Sequence, residues 1–181
     1  MKTDARVRYT RMILRDSLLK LLSQKPVKEI KVKEICELAQ INRATFYSHY
    51  KDPYDLLEQI ENELFNDISA TFMSRQDDIT SMTREIFAII TRNLDLCRVL
   101  FSDNGDKMFL RRIMEFSREW IIADWHKQYP RATQYQLDYL YAFIIGGSVA
   151  VIEEWVRSGM FELPLELGDI GKKVSEIWLG A

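Results

Sequence analysis

Ile41-Asn42-Arg43-Ala44-Thr45-Phe46-Tyr47-Ser48-His49-Tyr50 decides the reading of this chain. Asn42 is a good N-cap, because its side-chain oxygen can accept the backbone N–H of Thr45. The helix it opens is expected to run from Arg43 to Tyr50, and Lys51-Asp52-Pro53 ends it. Ile41, Phe46 and Tyr50 form its apolar side, with Phe46 expected in a core. Just upstream, Val32, Ile35, Cys36 and Ala39 recur at helical spacing, so Val32–Gln40 reads as a second short helix. Gln40-Ile41 is the tight turn between them. Two helices this short need a third to cover them, and the segment from Thr3 to Ser23 supplies it. Its apolar face is Met12, Ile13, Leu14, Leu18, Leu19, Leu21 and Leu22, and Pro26 stops it.

Residues 32–50 therefore have the size and pattern of a helix-turn-helix, whose second helix is free to enter a DNA major groove. Its residue types suit that position. Arg43 can pair bidentately with guanine, and Ala44 can touch a thymine methyl. The hydroxyls of Thr45, Tyr47 and Ser48 and the imidazole of His49 suit phosphate oxygens. Lys31, Lys33 and Lys51 flank the motif, where cations neutralise the backbone. The candidate DNA-binding set is Lys33, Asn42, Arg43, Ala44, Thr45, Tyr47, Ser48, His49 and Lys51.

Charge supports the same division. The net charge of −2 hides a basic head, with 12 Lys and Arg against 5 Asp and Glu in residues 1–51, and an acidic remainder, with 13 against 22. A head of that sign is suited to a polyanion. The expected domains are a helix-turn-helix DNA-binding domain at 1–52 and a helical domain for dimerisation and effector binding at 53–181. Asp52 is expected to cap the next helix, with Pro53 in its first position and Asp55 in its first turn. That helix should reach Ser74. Further helices are expected near Ser81–Asn93, Asp95–Ser102, Lys107–Tyr129, Thr133–Ser158 and Leu165–Trp178. Short polar gaps separate them, at Gln76-Asp77-Asp78, Ser102–Asp106 and Pro130-Arg131. No convincing strand is found, so the fold class is all-α: a three-helix head and a helical-bundle body.

The head is similar to the TetR/AcrR family of transcriptional regulators over residues 6–60. The stretch 41–50 followed by Asp55-Leu56-Leu57 carries the resemblance. It implies an all-helical homodimer whose recognition helices enter successive major grooves of a pseudo-palindrome, and a body that usually binds a small effector. By position, Arg43, Ala44 and Ser48 resemble base-reading residues, Thr45, Tyr47 and His49 resemble phosphate contacts, and Lys33 lies near bases or backbone. Three positions depart from the family's pattern. Gln40 replaces a turn glycine and implies modest left-handed strain. Lys31 replaces a capping Ser or Thr, and Pro53 replaces a phosphate-binding lysine.

In the body, the Tyr135–Arg157 helix is apolar around much of its circumference, and Gly146-Gly147 suggests close backbone approach. With the Leu165–Trp178 helix, whose stripe is Ile170, Val174, Ile177 and Trp178, it is expected to form a two-fold four-helix bundle between subunits. An effector pocket is expected around Cys97, Phe116, Trp120, Tyr139 and Phe143, with Arg118, Glu119 and His126 as candidate polar groups.

The only histidines are His49 and His126, and Cys36 and Cys97 lie in apolar helical patterns without metal-ligand spacing. No cofactor, no metal and no enzymatic activity are expected. The charged N-terminus and the lack of an uninterrupted apolar run of about 18 residues point to a cytoplasmic protein that does not engage a membrane. The expected function is a homodimeric regulator, a repressor released by a small-molecule effector. The alternative is a TetR-like coactivator or antirepressor acting through a protein partner. Arg43, Thr45, Tyr47 and His49 together favour the DNA reader.

Overall fold

The computed structural model describes residues 2–74, 79–159 and 167–179. Among these the chain is all helical: α1 (Lys2–Leu22), a 3₁₀ turn at Val27–Glu29, α2 (Val32–Ala39), α3 (Arg43–Tyr47), α4 (Pro53–Met73), α5 (Ile79–Arg92), α6 (Leu94–Leu100), α7 (Lys107–Gln128), α8 (Gln134–Ser158) and α9 (Leu167–Leu179). The expected Gln76-Asp77-Asp78 gap and the expected helix start at Leu165 lie outside the described residues.

The chain divides into two compact units. One takes Met1–Leu64 with Asp95–Lys107, and the other takes Phe65–Leu94 with Met108–Ala181. The first unit is the head. Its core holds Leu14, Leu18, Leu22, Ile35, Phe46 and Leu56 without exposed surface. Leu14, Leu18 and Leu22 recur every fourth residue and so share one face of α1. Met12, expected on that face, is exposed. It lies about 200° around the helix from Leu14 at 3.6 residues per turn.

Local chemistry fixes the helix ends. Gln40 adopts φ 54° and ψ 40°, the left-handed conformation its place in the turn required. Lys31 offers no side-chain acceptor to α2. Glu34 compensates in part, because its Oε2 accepts the Lys31 N–H at 2.9 Å. The Glu34 carboxylate also accepts Lys25 Nζ at 2.6 Å. These two bonds, the lysine side chain first, hold its pKa below the usual carboxylate range. At the start of α4, Asp52 Oδ1 accepts the Asp55 N–H at 2.9 Å. Asp55 in turn accepts the Lys51 N–H at 2.7 Å and the Gln59 amide at 2.9 Å, so its pKa is lowered too.

The second unit is the body. α9 packs on α5 and on α8. Ser117 and Tyr141 join α7 to α8 through a hydroxyl pair at 2.9 Å, and Arg118 pairs with Asp138 at 2.6 Å. Ile122, Leu137 and Tyr141 form a buried cluster that Trp125, Ile145 and Leu179 flank. Phe87 meets Trp155 edge-on, with ring centroids 4.9 Å apart. α8 opens with a reciprocal cap: Thr133 Oγ1 accepts the Gln136 N–H, and Gln136 Oε1 accepts the Thr133 N–H. It ends at Gly159, whose φ of 98° is a left-handed C-cap.

α8 contains no uninterrupted apolar run of membrane-spanning length, but it is apolar on average. Its length and a mean hydropathy of 1.3 over an 18-residue window would suffice to cross a bilayer. In this fold its Leu137, Leu140, Tyr141, Trp155 and Val156 are buried in the body.

Candidate nucleic-acid interface

The α2–turn–α3 pair is built as the sequence implied, with one correction. The recognition helix ends at Tyr47, three residues before the expected Tyr50. Ser48 is its C-cap, and the His49 N–H turns back to the Phe46 carbonyl at 2.9 Å, a tighter bond than an α-helix makes. His49 therefore lies in the turn beyond the helix, and Tyr50 is buried against Phe46 at 5.8 Å between ring centroids.

Asn42 caps α3 as expected. Its Oδ1 accepts the Thr45 N–H at 2.7 Å and also the Thr45 hydroxyl at 3.0 Å. Phe46 has no exposed surface and anchors the helix from below. Arg43, Ala44, Tyr47 and Ser48 follow at i, i+1, i+4 and i+5, share one face, and are all exposed. Tyr47 leaves 57% of its surface to solvent. The Ser48 hydroxyl donates to the Thr45 carbonyl at 2.7 Å, which fixes its rotamer and leaves its lone pairs outward. Thr45 and His49 are half-buried, and Asn42 and Lys51 are exposed. Lys33 is exposed but paired with Glu37 at 3.5 Å, a surface bond that a phosphate can displace. The structure thus brings Asn42, Arg43, Ala44, Thr45, Tyr47, Ser48 and His49 onto one short element, with Lys33 on α2 and Lys51 at the following turn.

The five residues expected to form an effector pocket differ in burial. Cys97 is buried in α6 of the head unit, and burial pushes its thiol up to about 12. Tyr139 and Phe143 are exposed on α8, and Trp120 is exposed on α7. Tyr139 packs on Tyr135 with ring centroids 4.4 Å apart, and Phe116 sits edge-on to Phe65 at 5.4 Å and to Phe72 at 6.1 Å, with the Arg112 guanidinium 3.9 Å from the Phe65 ring. An open depression of about 290 Å³ in the body is lined by Asp67, Ala70, Thr71, Ser74, Glu85, Ile89 and Arg92, none of them among the five. His126 is exposed and bonded to Gln134, and Arg118 is taken by Asp138.

An exposed, capped recognition helix on a three-helix support, with a separate all-helical body, defines a helix-turn-helix regulator. Residues 77–176 match the family model of the TetR-type transcriptional regulator C-terminal region, and the chain belongs to the TetR family. No curated protein sequence matches it. Solved structures with the same fold include a TetR transcriptional regulator from Streptococcus agalactiae 2603V. It is 20% identical, with 99% of this chain and 97% of that one covered and a TM-score of 0.62. The dihydroxyacetone kinase operon activator DhaS is 18% identical, with 94% of each chain covered and a TM-score of 0.59. The fatty acid degradation regulator FadR from Bacillus halodurans is 14% identical, with 95% of each chain covered and a TM-score of 0.61.

Proposed function

We propose that this transcriptional regulator is a cytoplasmic homodimer that binds a pseudo-palindromic operator and represses by occupying it against polymerase. Residues 1–52 are its reading head, and residues 53–181 carry the dimer contact and the effector response. The observation that carries this reading is the exposed face of α3: Arg43, Ala44, Tyr47 and Ser48 side by side on a helix whose cap and core side are already satisfied. Phosphate contacts from Thr45, Tyr47, His49 and Lys51 supply position, and Arg43, Ala44 and Ser48 supply base preference.

The dimer reading rests on α8 and α9. Their stripe of Tyr139, Phe143, Val151, Ile170, Ile177 and Trp178 is uncovered, with Phe143 66% and Ile177 84% exposed. Large apolar side chains left exposed on two helices that pack together point to an interaction surface. Among the described residues, a Cβ added at Gly146 or Gly147 would meet nothing within 4 Å beyond the local helix backbone. The two glycines therefore leave room for a helix of a second copy to approach closely, which offsets their cost to α8. A second copy accounts for the apolar character of α8 without a bilayer. An effector acts from the body through unequal affinity for two head spacings, and the Phe116 cluster is the aromatic site best suited to it.

Selection of bound sequences from a random duplex pool, with purified protein at near-physiological salt, tests the reading. Two inverted half-sites about one helical turn or more apart are the expected product. Weak binding without enrichment, falling steeply with salt, defeats it and moves the function to a protein partner.

A further inference from the structure

The head contains a piece of sequence from far outside residues 1–52. Asp95–Lys107, which is α6 and the turn after it, belongs to the head's compact unit although it lies within the stretch matched as the C-terminal region. The contact that ties it there is specific. Asn104 Nδ2 donates to the Leu22 carbonyl at 3.1 Å, across 82 residues. Leu22 is the last residue of α1 and has no exposed surface.

A helix leaves its last carbonyls without helical partners. At the end of α1 the Ser23 N–H serves Leu19, the Ser23 hydroxyl serves Lys20, and the Gln24 and Lys25 N–H groups serve Leu21. Asn104 serves Leu22. Its turn is rigid. The Asn104 N–H bonds Ser102 Oγ at 3.2 Å, and the Gly105 N–H bonds the Ser102 carbonyl at 3.1 Å. A Cβ on Gly105 would stand 2.2 Å from the Leu100 carbonyl oxygen, so glycine alone fits. Beyond Leu22 the bonds continue into the reading motif: Lys25 Nζ reaches Glu34, and Glu34 accepts the Lys31 N–H at the start of α2.

We propose that Asn104, presented by the Gly105 turn, is a positioning residue for DNA reading: it fixes the end of α1 and, through Lys25 and Glu34, the angle at which α2 and α3 are held. The inference rests on the DNA-reading proposal, and its test separates the two. The full-length protein and Asn104→Asp, which keeps the shape but removes the donor, are compared well below their unfolding temperatures, with Asp103→Ala as a control on an exposed neighbour.

Hydrogen exchange needs no DNA. Asn104→Asp should speed exchange of amides in 22–35 and leave α8 unchanged. Affinity for the selected operator should fall about 3- to 10-fold, the equivalent of one hydrogen bond, while affinity for an unrelated duplex stays the same. A purely stabilising role would leave operator affinity intact in a protein that is still folded. Unchanged exchange in 22–35, or faster exchange with unchanged operator affinity, overturns the proposal. A wild-type protein without operator preference defeats the DNA-reading proposal instead, and the exchange result still decides whether the turn holds the head. If Asn104→Asp does not fold, Asn104→Ala is put through both measurements.

Discussion

On the head, the uncovered surface is Arg43, Ala44, Tyr47 and Ser48, a small polar face over a helix of five residues. On the body it is Tyr139, Phe143, Ile170, Ile177 and Trp178, a long apolar face over two helices. Both are exposed in the single chain, yet their chemistry points to opposite partners. The polar face stays solvated when free and, as the proposed DNA-reading face, would exchange water for phosphate and base edges, which would make its binding salt-dependent. The apolar face is costly to leave in water, and in the proposed dimer it would gain by burial against a second copy. A regulator that reads two half-sites needs both, because the weak contact of one head is multiplied when the body holds two heads together.

The largest break in that comparison comes from the body. Phe143→Glu places a carboxylate in the apolar face and should yield monomers by sedimentation, with operator affinity lower by about 100-fold or more as the second head is lost. An intact dimer would put the interface elsewhere. Phe143 is a better target than Ile144, which is half-buried and lies on the α9 side, 3.5 Å from where a Cβ on Gly171 would stand.

Next comes the head's own face. Arg43→Ala should relax preference at particular base pairs by about 1–3 kcal/mol, whereas Thr45→Ala should weaken all sequences alike. Unaltered preference in a binding selection with Arg43→Ala would remove that residue from the reading set.

Smaller effects test how the head is held. Gln40 sits at φ 54°, where a side chain is strained. Gln40→Gly should therefore leave the head between unchanged and about 1 kcal/mol more stable, the relief of left-handed strain being partly offset by the glycine's added freedom when unfolded. Marked destabilisation in a thermal melt would show that the Gln40 side chain contributes more than its backbone costs.

The smallest effect concerns pH. Glu34 and Asp55 have pKa values lowered in the fold by their hydrogen bonds. Their contribution is complete at neutral pH and fades as pH falls from about 4 towards the lowered values, because the unfolded chain then binds protons more readily. Glu34→Gln should flatten the acid limb of a plot of melting temperature against pH. An unchanged limb would show that the Lys25–Glu34–Lys31 chain adds nothing to stability.

Much of the head was legible because it is local. The Asn42 cap, the Gln40 turn and the Asp52–Asp55 start of α4 are decided within a few residues, by side chains that can satisfy only nearby backbone groups. The end of α3 differs from its expected place for a reason of the same scale: the His49 N–H closes on Phe46 and tightens the last turn, which periodicity does not register. An aromatic stripe on a helix does not by its spacing say which side meets a neighbour. Tyr139 and Phe143 share α8 with buried Leu137, Leu140 and Tyr141 but face away from them. In sequence Asn104 is one residue of a polar gap, and its Asn-Gly pair is a turn signal.

An all-helical chain, a helix-turn-helix with its cap, turn and exposed polar face, and the opposed charges of head and body are all legible in the residues. These follow from spacing, local hydrogen bonding and net charge, which need no knowledge of distant neighbours. Only the tertiary structure decided that α6 and its turn belong to the head, that Asn104 closes the end of α1, and which side of α8 is left uncovered. Each of these depends on partners tens of residues away, and the free energy of burial carries no record in the sequence of which apolar surface will cover which.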